Sequence, residues 1–233
     1  MATKFLKQVI FIIFIVLQSK ALVFGQTDWR FLFDKEGIKV YSRTMSGSTI
    51  EEFKGVGVIN ARIEVIGELL RDVPANKNWM KDCLGSKVIE QINRNNMIIH
   101  YLIDTPWPVE NRDVVFMSET KVDFKQGKVV SQLKAIQDKR VPPQSGYTRI
   151  TNMQAGFILE YVDREHTRVT YSVKVDPAGS IPSFLSNYAN QEIPFETLRG
   201  MKRMVTQKKY IEAGSRSPDK TEIENLINEG VLK

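Results

Sequence analysis

The stretch KVDPAGSIPSFLSN, residues Lys174 to Asn187, joins the two periodicities of this sequence. Upstream of it, Val169, Tyr171, Val173 and Val175 alternate with polar residues, the period of a strand with one buried face. Downstream, Ile181, Phe184, Leu185, Tyr188, Phe195, Leu198, Met201 and Val205 recur at helical spacing over 181–210. Asp176-Pro177 ends strand pairing, because proline has no N–H to give to a ladder. Gly179 is free to take positive φ and turn the chain. Ser180 is placed to cap the helix, with Pro182 in its first turn. Pro194 should bend that helix or split it in two.

Working back from the join, the chain reads as almost all strand for about 90 residues. The expected strands are 86–93, 97–104, 113–124, 128–137, 147–163 and 167–176, separated by short turns such as Asn93-Arg94-Asn95-Asn96 and Gln126-Gly127. Such spacing predicts an antiparallel meander. Before it, 38–44 and 49–59 form a hairpin around Ser46-Gly47, with Gly55 and Gly57 marking a bend or a close approach. Residues 28–33 read as a helical turn or an extended lead-in. Ile63, Ile66, Leu69, Leu70 and Val73 predict a helix over 61–73, capped by Asn60 and ended by Pro74. The class is α+β: a curved antiparallel sheet under one long C-terminal helix. A sheet of that extent is not covered flush by one helix. Either the two surfaces enclose a space or the 61–73 helix fills it. Gly214 to Pro218 reads as a linker, and 219–232 as one more short helix.

Of the 233 residues, 42% are hydrophobic and 26% charged, an ordinary globular balance. Residues 1–25 have the layout of a secretory signal peptide: Lys4 and Lys7, then nine unbroken apolar residues from Val9 to Leu17, then Val23 and Gly25 before Gln26. The apolar run is shorter than the roughly 20 residues a bilayer span needs. The expectation is export to the periplasm or beyond. Removing Lys4, Lys7 and Lys20 leaves 30 basic against 27 acidic residues, too mild an excess to imply nucleic acid. Cys83 is the only cysteine, so no intrachain disulfide forms and the fold stands on its core. No feature specifies an oligomer, and a monomer is expected.

Signals for chemistry are sparse. His100 sits mid-strand and His166 in a turn, with no partner at metal-ligand spacing, so no metal and no other cofactor is expected. Calcium-loop, nucleophile-elbow, phosphate-loop and dinucleotide motifs are missing. One segment does stand out besides the opening join. In TPWPVENRD, 105–113, Pro106 and Pro108 hold Trp107 stiffly on a loop, as at a pocket rim.

These two proline-rich joints resemble those of the START (steroidogenic-acute-regulatory-related lipid transfer) domain family. Pro106-Trp107-Pro108 followed by Asn111-Arg112-Asp113 is similar to the first family joint, and Asp176 to Asn187 to the second, about 63 residues later. Ile193 to Arg199 and the Trp79 to Asp82 segment also look like family runs, and the resemblance covers about 26–212. It implies the helix-grip fold, with an apolar cavity that holds one lipid or other hydrophobic molecule, and transient membrane contact for exchange. The Trp107 loop and the C-terminal helix would gate it, hinged at Pro177 and Gly179.

Alternation then assigns the expected lining. From the strands it takes Ile99, Tyr101, Ile103, Val114, Phe116, Ser118, Leu133, Phe157, Leu159, Tyr171 and Val173. From the helix it takes Phe184, Leu185, Tyr188, Leu198 and Met201, and the family segment adds Trp79. Ser118 stands where animal sterol-binding members carry a cavity arginine. Arg112 and Asp113 are expected to tie the Trp107 loop in place, and His100 and Asp104 to point outward. The Lys202/Arg203/Lys208/Lys209 face suits anionic headgroups. The function expected is non-catalytic binding or transfer. The alternatives are a cyclase-like enzyme in the same cavity, with His100, Tyr101 or Asp104 as acid or base, and an interaction module with a packed interior.

Overall fold

The computed structural model describes residues 29–233, apart from Ser46, Ser180 and the side chains of Phe184 and Tyr188. The signal-peptide segment, the Ser180 cap and the inward placing of Phe184 and Tyr188 therefore lie outside the described residues. Ten strands form one sheet: β1 (Arg30–Lys35), β2 (Ile38–Thr44), β3 (Glu51–Ile59), β4 (Cys83–Asn93), β5 (Asn96–Ile103), β6 (Asn111–Asp123), β7 (Lys128–Ala135), β8 (Tyr147–Ile150), β9 (Asn152–Tyr161) and β10 (Thr167–Asp176). Their order is β1-β2-β3-β10-β9-β7-β6-β5-β4, all antiparallel. The helices are α1 (Ile63–Arg71), α2 (Ser183–Asn190), α3 (Ile193–Met204), α4 (Lys208–Arg216) and α5 (Pro218–Asn228).

Period-two patterning decides the inner face. In β10 every second residue from Thr167 to Val175 is buried, and β2 buries Ile38, Val40 and Ser42 in the same way. α3 lies across β2, β3 and β10, with Phe195, Leu198 and Met201 fully buried. At Gly55 the helix lies close against the sheet. A Cβ there would stand 3.0 Å from Pro194 Cβ and 3.2 Å from Leu198 Cδ1, which accounts for the glycine on a strand otherwise rich in larger residues.

The lead-in is extended, one of the two readings open for it: β1 begins at Arg30 and pairs with β2. Four local expectations are corrected. Asn60 does not cap α1: Arg62 holds the cap position without a side-chain bond, and Pro74 lies in a following 3-10 turn, Val73–Asn78. The single strand over 147–163 breaks at Thr151, and β8 pairs parallel with β6, with Asp113 opposite Arg149, whereas β9 pairs with β7 and β10. The helix over 181–210 is three helices. Its first break falls at Gln191-Glu192, ahead of Pro194, which sits in the first turn of α3, where its missing N–H is harmless. Pro182 occupies the position before α2 rather than its first turn.

The segment read as linker and tail is packed. Gly214 to Arg216 complete α4, and α5 sends Ile223 and Leu226 into the main core. Arg71 pairs with Asp219 at 2.9 Å and Arg62 with Glu224 at 2.6 Å. Ile223→Ala is accordingly expected to lower unfolding free energy by about 2–3 kcal/mol, the usual range for emptying a fully buried aliphatic site. Urea denaturation followed by circular dichroism checks this, and a change under about 0.5 kcal/mol would show α5 to be dispensable.

Candidate functional site

A cavity of about 470 Å³ opens between the inner face of the sheet and α2. β5, β6 and β7 supply Tyr101, Ile103, Phe116 and Leu133 to its wall; β9 and β10 supply Met153, Ala155, Tyr171, Val173 and Val175. From above come Ile181, Leu185 and Ala189, and the first turns of α3 add Ile193 and Thr197. The mouth is bordered by Pro106, Trp107, Val109 and Pro177. Trp107 is 92% exposed and Leu185 50% exposed, so the rim presents apolar surface to solvent.

The expected lining divides. Tyr101, Ile103, Phe116, Leu133, Tyr171, Val173 and Leu185 border the cavity, with Trp107 and Pro177 at its rim. Trp79, Ile99, Val114, Ser118, Phe157, Leu159, Leu198 and Met201 do not. They are buried in the part filled by packing, the strand residues on the same inner face and Trp79, Leu198 and Met201 on the elements packed against it. Alternation identifies the face of a strand but not how much of that face another element covers. Phe157 stacks on Tyr171 at 4.4 Å between ring centroids and meets Trp79 at 6.1 Å, so an aromatic row closes the inner end. Gly179 is outside the wall and takes φ +72°, as the turn requires. Ala178 beside it also has positive φ, at +57°, and its N–H is held by Asp176 Oδ1 at 3.0 Å.

Arg112 faces inward and Asp113 outward. The Arg112 guanidinium donates to the carbonyls of Pro177 (3.0 Å), Ala178 (3.3 Å) and Glu110. It thus ties the Trp107 loop to the turn that leads into α2. Asp113 does not tie that loop, against expectation. It is fully buried on the outer face, taking two bonds from Arg149 (2.8 and 2.7 Å) with His100 Nε2 at 2.8 Å. Segment 136–146 covers this network, with Val141 packed on Ile98 and Val115. His100 thus points outward as expected. Asp104, also expected outward, borders the cavity instead, because β5 ends at Ile103 and alternation ends with it.

Burial pushes the phenols of Tyr101 and Tyr171 well above their ordinary values, Tyr101 with help from neighbouring Cys83. Both stay neutral near pH 7. Among the described residues no group of three or more His, Cys, Asp or Glu is placed to hold a metal ion. α2 is held from the far side by Asn187, whose Oδ1 accepts from Glu51 N at 3.0 Å and whose Nδ2 donates to Thr49 O at 3.1 Å. The signal for this latch was present in the sequence only as an asparagine in the family joint. The basic face of the C-terminal helices is engaged elsewhere: Lys202 with Glu36 O, Arg203 with Asn78 O and Lys209 with Asp72. It lies beyond Thr197, the last cavity residue of α3.

The START domain model matches residues 17–210. An uncharacterized protein of Pseudomonas aeruginosa is 33% identical over 175 residues, covering 75% of this chain and 85% of that protein. The mouse phosphatidylcholine transfer protein is 26% identical over 176 residues, covering 74% and 80%. The crystal structure of a STAR-related lipid transfer protein fragment from Xanthomonas axonopodis superposes with a TM-score of 0.70 at 32% identity, covering 77% of this chain and 99% of the fragment. Human StAR-related lipid transfer protein 5 gives 0.71 at 15% identity, over 89% and 99%, which speaks to the fold alone. With its helix-grip architecture, its two proline-rich joints at the mouth of one cavity and these matches, the chain belongs to the START domain family.

Proposed function

We propose that this protein binds one lipid or other hydrophobic small molecule in the cavity, without catalysis, and exchanges it at a membrane through the mouth between α2 and the Trp107 loop. START domains bind and transfer lipids and other hydrophobic ligands. The observation that carries the reading for this chain is the cavity itself, about 470 Å³ with mostly apolar walls and an exposed apolar rim. Desolvating an acyl chain there yields about 0.8 kcal/mol per methylene, set against ordering costs. The non-catalytic part is supported by His100 lying on the other face of the sheet and by phenols held neutral. Residues 1–25 carry the further proposal that it acts in the cell envelope or outside it.

Opening is assigned to α2 alone. It is a separate helix between the Ala178-Gly179 turn and the Gln191-Glu192 break, whereas α3 belongs to the core. Arg112 and Asn187 are its two latches. Delipidated protein reloaded from vesicles and examined by native mass spectrometry tests binding, and no adduct of any lipid would sink the proposal. Trp107→Ala should slow transfer between vesicles about tenfold, the effect of losing about 1.4 kcal/mol of interfacial burial. Thermal stability and equilibrium loading should hold, because the ring packs on little of the protein. Unchanged transfer would remove Trp107 from the docking surface.

A further inference from the structure

We infer that the ligand is a single-chain amphiphile rather than a two-chain phospholipid. This deepens the lipid-binding reading and rests on it. A methylene takes about the volume of a water molecule, roughly 30 Å³ in a liquid, so two chains of about 16 carbons need roughly 900 Å³ before any headgroup. The cavity offers about 470 Å³, the volume of one such chain.

The inner boundary does not yield to make up the difference. Tyr171, Phe157 and Trp79 close that end as a packed aromatic row. Behind them α3 is set down on the chain, where a Cβ on Gly200 would stand 2.9 Å from the Trp79 carbonyl carbon. Phe195, Leu198 and Met201 fill the remaining inner face with no exposed surface. A second chain would have to displace this core, at several kcal/mol, or remain outside the mouth in water. Only the mouth side, α2 and the Trp107 loop, is built from separable pieces.

The wall also separates chain from head. Its polar groups are few: the Lys81–Asp82 ion pair is about one-third exposed, Lys81 N approaches Thr197 Oγ1 at 3.4 Å, and the buried Arg112 is already bonded to the carbonyls of Pro177, Ala178 and Glu110. Asn190 borders the same space, and its buried Nδ2 has no partner among the described residues. The apolar wall from Ile103 through Phe116 and Leu133 to Val173 takes the chain. The polar end stays near Lys81, Asp82 and Asn190.

The test keeps the headgroup constant and changes only the number of chains. Delipidated full chain is offered vesicles holding equal amounts of palmitoyl lysophosphatidylcholine and dipalmitoyl phosphatidylcholine, and one-to-one adducts are read by native mass spectrometry. The expected result is at least a tenfold excess of the one-chain adduct. An equal or larger two-chain adduct overturns this inference and leaves the lipid-binding proposal standing. No adduct of either kind overturns both. In Phe116→Ala the cavity gains roughly 100 Å³, and the preferred chain among lysolipids of graded length should grow by about three carbons. An unmoved optimum in a folded variant also overturns the inference, because the chain would then not lie against Phe116.

Discussion

Gly200→Val is expected to destabilise the protein by more than about 4 kcal/mol, enough to leave little folded protein at 37 °C. Gly200 is in the middle of α3 and buried. A Cβ there would stand 2.9 Å from the carbonyl carbon of Trp79 and 3.0 Å from its Cα, with the carbonyl oxygen closer still. These are backbone atoms and cannot swing aside as a side chain would. Helix propensity alone argues the other way, since glycine in a helix interior is worse than alanine by about 0.5–1 kcal/mol. Gly67, in the middle of α1, makes the control. A Cβ there meets only the flexible end of Arg71, at 3.2 Å. Gly67→Ala should be neutral or stabilising by up to about 1 kcal/mol, and Gly200→Ala should destabilise by about 2–3 kcal/mol. Urea midpoints of the three variants decide the matter, and a Gly200→Val protein within 1 kcal/mol of the parent would refute the close packing of α3 on Trp79.

That contact also explains what was legible in the sequence and what was not. Alternation in β10 is local, and Tyr171 and Val173 could be placed on the inner face from the sequence alone. The two proline-rich joints are local too, and both border the mouth, Trp107 on the stiff loop that suggested a rim and Pro177 at the end of β10. How far the cavity runs is not local. It is set by how closely α3 approaches the 3-10 turn and β3, through Gly200 and Gly55, which lie 145 positions apart in the chain. For that reason Trp79, Ile99, Val114, Phe157, Leu159, Leu198 and Met201, expected to line the cavity, are buried in packing away from its wall. The same holds for the split at Thr151, where Arg149 leaves the meander to reach Asp113 from β8. Nothing in YTRITN marks that break. The partner that rewards it lies 36 residues upstream.

Asp113→Ala should cost about 3–5 kcal/mol, because it strands two partners rather than deleting one contact. The carboxylate is fully buried and takes both Arg149 bonds, with His100 Nε2 against the same oxygen that accepts from Arg149 Nη2. Removing it leaves the Arg149 guanidinium, mostly buried, with only the carbonyls of Val141 and Pro142 as acceptors. His100→Ala should cost less, about 1–2 kcal/mol, since Asp113 keeps both arginine bonds. The acid limb separates this account from a simple packing defect. Burial by itself pushes the Asp113 carboxyl up, but the hydrogen bonds and charges of Arg149 and His100 outweigh it and hold the group below its ordinary 3.8. A carboxyl whose value is lower folded than unfolded contributes stability that is complete above the unfolded value. That contribution fades as pH falls through the folded one. The parent should therefore lose more stability than Asp113→Ala between about pH 4 and pH 2, and the gap between their urea midpoints should narrow over that interval. A gap that stays constant down to pH 2 would mean that the charge of Asp113 is not what holds β8 and the 136–146 segment to the outer face.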